Sequence, residues 1–295
     1  MITVYEAFRK FRSRLELTQK EQDDASRRQQ EIRGVMAEEF NIDHDFLTGS
    51  YKRHTKTKPL KDVDIFCVFH DDERPTYRNG KGPKVILDAV EKVMVKKYGQ
   101  ENVRRQRRSI GVEFTSKNGD EERVMSFDVV PAFTKGQDYE IPDEEATSGW
   151  TNTNPTVHAD KATKANEAFS GEWKGMVRMV KAWNREKGKP VRPSFLLEVM
   201  ALDILKPPFG GDYPYEFMSF YQSASERIGD VWADPAGLGP AVNDKMSSDD
   251  RAKASKALKE ASDALRAAIN LGRQGKGGEE LKAYRDLFGP LFPLS

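Results

Sequence analysis

FLTGSYKRHTKTKPLKDVDIFCVF, residues 46–69, is the stretch that decides the fold. Its second half, Val63 to Phe69, is an apolar run of strand length, entered through two carboxylates, Asp62 and Asp64. Side chains alternate along a strand, so both acids share one face. Adjacent carboxylates repel each other. A divalent cation between them offsets that cost, and Mg²⁺ favours carboxylate oxygens combined with substrate phosphates. Upstream, a turn at Gly49-Ser50 can bring backbone N–H groups and a hydroxyl to phosphate oxygens, because glycine accepts backbone geometry that other residues resist. Asp-x-Asp by itself is a common pattern, and its meaning here depends on the rest of the chain.

Outward from this stretch, 295 residues suffice for one large domain or two lobes with a core that needs no staples. Charged residues make up 32% and aromatics 10%, the composition of a globular protein with a heavily charged surface. No run approaches the roughly eighteen apolar residues of a membrane span, and the N-terminus lacks the apolar core of a signal peptide, so a cytoplasmic protein is expected. The single cysteine, Cys67, excludes an internal disulfide and reads as a buried thiol within the strand. Lys and Arg number 48 against 47 Asp and Glu, a net charge of +1. Proteins that grip long nucleic acids usually carry a strong basic excess, so small substrates are favoured.

Residues 4–40 contain no proline and one glycine and read as a single long helix, apolar near both ends and polar from Thr18 to Glu31. After the strand and a polar loop from Asp71 to Gly82, apolar spacing predicts a helix over 83–98 packed on a sheet. Arg104 to Arg108 then leads into the alternating Ile110, Val112 and Phe114, a strand whose arginines are either phosphate ligands or a solvated basic rim. Asn118-Gly119 signals a hairpin turn. The return strand places Phe127 and Val129 on one face and Asp128 on the other. An acid in an apolar strand is costly unless paired or metal-bound, which makes Asp128 the third candidate carboxylate. Residues 142–155 read as loop.

Helices are expected over 158–169, 172–187, 194–205, 214–227, 248–270 and 279–288, with Gly272 to Gly278 as a flexible linker. A mixed first part followed by a helical second part predicts α+β. The helix over 172–187 carries an apolar stripe through Trp173, Met176, Val177, Val180 and Trp183. Its basic stripe, Lys174, Arg178, Lys181 and Arg185, is either a solvated face or a source of charge for a triphosphate. Pro193 and Ser194 open the next helix, and helix starts attract phosphate. The apolar tail after Phe288 either tucks into the core or serves as a partner handle.

Together these residues resemble the cGAS/DncV-like nucleotidyltransferases of bacterial CBASS anti-phage systems, relatives of the oligoadenylate synthetases and of the polymerase-β-type superfamily. The matching pieces are Gly49-Ser50, Asp62-x-Asp64, Phe127-Asp128-Val129-Val130-Pro131, Lys181-x-Trp183 and Pro193-Ser194-Phe195, spread over about half the chain. The resemblance implies a two-lobed architecture: a spine helix (1–40), a mixed-sheet catalytic lobe (41–155) and a helical lobe completing a nucleotide cleft (156–295). It further implies that Asp62 and Asp64 hold two Mg²⁺ ions, with Mn²⁺ able to substitute, and that Asp128 binds the ion beside the attacking hydroxyl. Ser50, with Gly49, would contact terminal phosphates, Lys181 would reach the triphosphate, Ser194 would close over it and Phe195 would stack on a base. Relatives carry small residues and a threonine after Gly-Ser, where this chain has Tyr51-Lys52-Arg53-His54-Thr55, so no role passes to Thr55. The implied activity is template-independent condensation of nucleoside triphosphates, ATP among them, into a cyclic di- or trinucleotide. Implied partners are CBASS regulatory or conjugating proteins, with no template and no membrane. Two other readings are nucleotide addition to RNA ends or proteins, and an inactive nucleotide-binding regulator.

Overall fold

The computed structural model describes residues 2–118 and 121–295. They form two compact units, one comprising Met1–Glu16, Thr55–Lys58 and Ala159–Ser295, the other Leu17–His54 and Pro59–His158. In order, the elements are α1 (Val4–Leu15), α2 (Gln19–Glu39), β1 (Ile42–Thr48), α3 (Gly49–Lys52), β2 (Asp62–Phe69), α4 (Arg74–Tyr77), α5 (Pro83–Tyr98), β3 (Val103–Arg105), β4 (Ile110–Asn118), β5 (Glu121–Lys135), β6 (Asp138–Pro142), β7 (Trp150–Thr153), α6 (Pro155–Ala168), α7 (Trp173–Glu186), α8 (Phe195–Ile204), α9 (Tyr213–Arg227), α10 (Ser248–Arg273) and α11 (Gly277–Phe288). The α+β expectation holds. Among the described residues no helix is long and apolar enough to cross a membrane.

In the second unit the sheet order is β1-β2-β5-β4-β3, with β6 paired to β5 and β7 to β6. β2 and β5 run parallel, and every other pair is antiparallel. Alternation divides β2 cleanly. Val63, Ile65, Cys67 and Phe69 face a core that includes Ile86, Leu87 and Val90 of α5 and Ile32 and Met36 of α2. The opposite face starts with Asp62 and Asp64 and continues into a smaller apolar cluster of Phe66, Val68, Val130, Ala132 and Ile141. Cys67 is fully buried, as expected, and desolvation pushes its thiol far up, so it is inert.

Three expectations need correction. Residues 4–40 form two helices, not one. Thr3 caps α1 and Thr18 caps α2, each in a capping box with the glutamate three residues on, Glu6 and Glu21. Both Thr-x-x-Glu patterns were there in the sequence, and the second marks the break. Glu21 is buried because its other oxygen accepts the Leu60 N–H at 3.0 Å. Within 142–155 lies a strand, β7, whose Trp150 is buried and donates its indole N–H to Lys81 O. A four-residue polar edge strand has no alternation strong enough to read. The glycine-rich linker is shorter than expected, since α10 continues to Arg273 and α11 starts at Gly277. The turn expected at Asn118-Gly119 lies outside the described residues at Gly119, although β4 and β5 pair up to Asn118 opposite Glu121.

The arginine run resolves into ion pairs. Arg104 meets Glu113, Arg105 meets Asp88, Glu91 and Glu144, and Arg107 and Arg108 both meet the buried Asp143. The run is ion-paired rather than a free rim.

In the first unit α7 is the central helix, with Trp173, Met176, Val177, Val180 and Trp183 all in the core. Each cation of its basic stripe has a partner in the same unit: Lys174 with Thr163, Arg178 with Glu16, Lys181 with Glu198, and Arg185 with Thr57 and Lys58 O. The tail is tucked in. Phe292 is fully buried, and its ring packs against Phe8, Phe11, Tyr284 and Phe288.

Candidate active site

The parallel register of β2 and β5 places Asp64 directly beside Asp128 and Asp62 beside Ser126. Side-chain alternation then projects all three carboxylates from one face of the sheet at one end. Asp62 is exposed, whereas Asp64 and Asp128 are half-buried. The structure therefore brings together the three acids singled out in sequence, from two strands separated by more than fifty residues of chain.

Gly49 joins them through a steric requirement. It begins α3 with φ +62°, directly after Thr48, which pairs with Asp64 across β1 and β2. A Cβ at Gly49 would overlap the Asp64 carboxylate, lying 2.7 Å from its Cγ. Ser50 follows in the same short turn, half-buried.

Neighbours orient two of the acids. Ser126 Oγ donates to Asp62 Oδ1 at 3.0 Å and is also 3.0 Å from Lys61 O. Gln106 Nε2 donates to Asp128 Oδ1 at 2.8 Å. Neither Ser126 nor Gln106 stood out in the sequence. The Ser126 signal was available, since it precedes Asp128 by two and must share its face. Gln106 comes from a loop, and only tertiary structure brings it to Asp128.

Among the described residues no three His, Cys, Asp or Glu side chains converge on one point as a closed protein cage would require. Mg²⁺ rarely uses such cages. It takes one or two carboxylates and completes its shell with water and substrate phosphate. Hard oxygen donors from Asp62, Asp64 and Asp128 on one face, with the space that Gly49 leaves beside Asp64, fit that pattern.

The remaining candidates belong to the first unit. The Lys181 ammonium lies 2.5 Å from Glu198 Oε1 and 3.3 Å from Thr55 O, and Thr55 Oγ1 donates to Glu198 Oε2 at 2.8 Å. Glu198 and Thr55 are buried, so a carboxylate and a hydroxyl in the interior pin the lysine head group. Thr55, given no role from sequence, is thus part of this network. Ser194 is exposed at the N-cap of α8, and its side chain caps none of that helix's amides. Phe195 is half-buried against the helical core.

Known proteins resemble this chain in sequence and in fold. The model of the Second Messenger Oligonucleotide or Dinucleotide Synthetase domain matches residues 1–166. A protein of Bacillus cereus (strain VD146) named "Probable cyclic nucleotide synthase" is 24% identical over 278 residues, 83% of this chain and 81% of that protein. Escherichia coli MS115-1 CdnC, solved in a complex with HORMA-deltaN, superposes with a TM-score of 0.71 at 18% identity, covering 98% of each chain. The same CdnC solved with ATP gives 0.70 at 17% identity, covering 99% of each. These likenesses concern the fold, which the chain shares with CdnC. Because the domain model takes in more than half of the 295 residues, the chain belongs to the second messenger oligonucleotide or dinucleotide synthetases, nucleotidyltransferases of the cGAS/DncV-like kind.

Proposed function

We propose that this chain condenses nucleoside triphosphates without a template and closes the product into a cyclic di- or trinucleotide second messenger, releasing one pyrophosphate for each bond formed. The observation carrying this reading is the register of Asp64 with Asp128, which with Asp62 gathers three hard oxygen donors on one face. Asp62 and Asp64 would hold two Mg²⁺ ions, or Mn²⁺, and Asp128 the one nearer the acceptor; bound there, the ions acidify the attacking ribose hydroxyl and offset charge on departing pyrophosphate. Gly49 and Ser50 would offer a backbone N–H and a hydroxyl to terminal phosphates. Lys181 would add a point charge that Glu198 holds in place, Ser194 a hydroxyl, and Phe195 a ring face for a base.

ATP is proposed among the substrates, with support from the CdnC complex with ATP. An anti-phage CBASS role in the cytoplasm, with a regulatory or conjugating protein partner, follows from the family, and the CdnC complex with HORMA-deltaN supports a search for such a partner. Template nucleic acid and membrane have no part in the reaction.

The test is to incubate the chain with the four triphosphates and Mg²⁺ or Mn²⁺ and identify products by mass spectrometry after phosphatase treatment. A phosphatase-resistant cyclic product is expected, and Asp62→Ala and Asp64→Ala should each abolish pyrophosphate release. Extended RNA, a nucleotidylated protein or unchanged release from either variant would overturn the reading.

A further inference from the structure

Asp128 lies at a gap in the sheet. Its register partner on β4 is Gly111, which has no side chain to cover it. Gln106 fills the space: a Cβ at Gly111 would sit 2.9 Å from Gln106 Nε2 and 3.4 Å from Asp128 Oδ1. Through that opening the amide N–H reaches Asp128 Oδ1 at 2.8 Å.

The amide is held at its other end as well. Ser109 Oγ donates to Gln106 Oε1 at 3.0 Å, and the Gln106 backbone N–H donates to Ser109 O at 3.0 Å. Turning the amide over would set its carbonyl oxygen against a carboxylate, two acceptors with no proton between them, so the N–H must face Asp128. The loop bearing Gln106 is fastened on both sides. Arg105 bonds Glu144, and Arg107 and Arg108 both bond Asp143 at 2.5 to 3.0 Å. Although burial raises the Asp143 carboxyl, the hydrogen bonds from the two arginines carry it down to about 2.

Such fastening is more than a four-residue connection between β3 and β4 needs. A neutral donor also differs from a lysine or arginine at this place: it occupies one lone pair of one oxygen and brings no counter-charge of its own. Groups that hydrogen-bond metal-binding carboxylates set their orientation, and removing them typically costs about 10–100-fold in affinity or activity. We infer that Gln106 is a positioning residue for the ion site, fixing the orientation of the Asp128 carboxylate. The inference rests on the reading of Asp128 as an ion ligand.

The experiment is a Mn²⁺ titration of the full chain, with free Mn²⁺ followed by electron paramagnetic resonance, in the presence of α,β-methylene-ATP. Gln106→Met keeps the side-chain length and removes the donor. It should weaken Mn²⁺ about tenfold and lower kcat with little change in KM, while the thermal midpoint stays near that of the unaltered chain. Ser109→Ala, which releases only the far end of the amide, should weaken Mn²⁺ measurably but by a smaller factor than Gln106→Met. This second variant carries the test should Gln106→Met fold poorly. Asp128→Ala serves as the reference and should lose the site. If Asp128→Ala loses Mn²⁺ while Gln106→Met and Ser109→Ala bind it as tightly as the unaltered chain, the role of Gln106 is overturned and the ion site stands. Unchanged Mn²⁺ binding in Asp128→Ala would overturn both.

Discussion

Replacing Gly49 by alanine separates backbone strain from displacement of a carboxylate. Gly49 has φ +62°, and alanine in that region costs about 1–2 kcal/mol. The new Cβ would also lie 2.7 Å from Asp64 Cγ and overlap the carboxylate, while its distance to Asp64 Cβ, 3.4 Å, is tolerable. The backbone can therefore stay, and the carboxylate has to swing away. Gly136, in the turn between β5 and β6, has nearly the same conformation, φ +65°, with no atom within 4 Å of an added Cβ. Gly136→Ala should thus bear the strain alone. Both variants should melt lower by about 2–4 °C per kcal/mol lost. Only Gly49→Ala should lose turnover, by about 100-fold, the usual penalty for moving a reacting group by an ångström. Thermal denaturation and pyrophosphate release from ATP with Mg²⁺ provide the two readouts. Turnover of Gly49→Ala within a few-fold of Gly136→Ala would refute the claim that Gly49 keeps the place of Asp64 open.

Asp143→Asn should cost about 2 kcal/mol at pH 7, from a carboxyl held at about 2 in place of its ordinary 3.8. Because the folded value is the lower one, this contribution is complete above the ordinary value and fades as pH falls toward 2; urea denaturation at pH 3 should show the difference from the unaltered chain reduced to about half. Lys181→Met breaks the buried Lys181–Glu198 ion pair and should destabilise by about 3–5 kcal/mol, most of it recovered in Lys181→Met/Glu198→Gln, as read by chemical denaturation. Thr18→Ala removes the cap that starts α2 and should cost about 1 kcal/mol in the same assay.

The three acids and their common face were legible in residues 62–69 and 126–131, because alternation along a strand is a local property and an acid inside an apolar run has few uses. The central helix α7 was equally plain from its spacing of Trp173, Met176, Val180 and Trp183. Local chemistry also marked the break between α1 and α2 at Thr18-x-x-Glu21, a signal outweighed by the absence of proline and glycine around it.

Other features depended on partners distant in sequence. The arginines of residues 104–108 looked alike in sequence, yet they are committed to particular acids: Arg104 to Glu113, Arg105 to a group on α5 and Glu144, and Arg107 and Arg108 to Asp143. Composition cannot distinguish a paired charge from a solvated one, because the difference lies in a counter-charge that another element brings, as Asp143 is brought to Arg107 and Arg108. Lys181 was recognisable as a cation on a helix, but its pairing with Glu198 and Thr55 was not. By itself the sequence determined the strands that carry the acids, the face each acid takes and the acids themselves, since backbone periodicity acts between neighbours. Tertiary structure alone decided that β2 lies parallel to β5, that Gly111 leaves a gap and that Gln106 fills it, since those contacts arise from register between segments that the chain brings together only on folding.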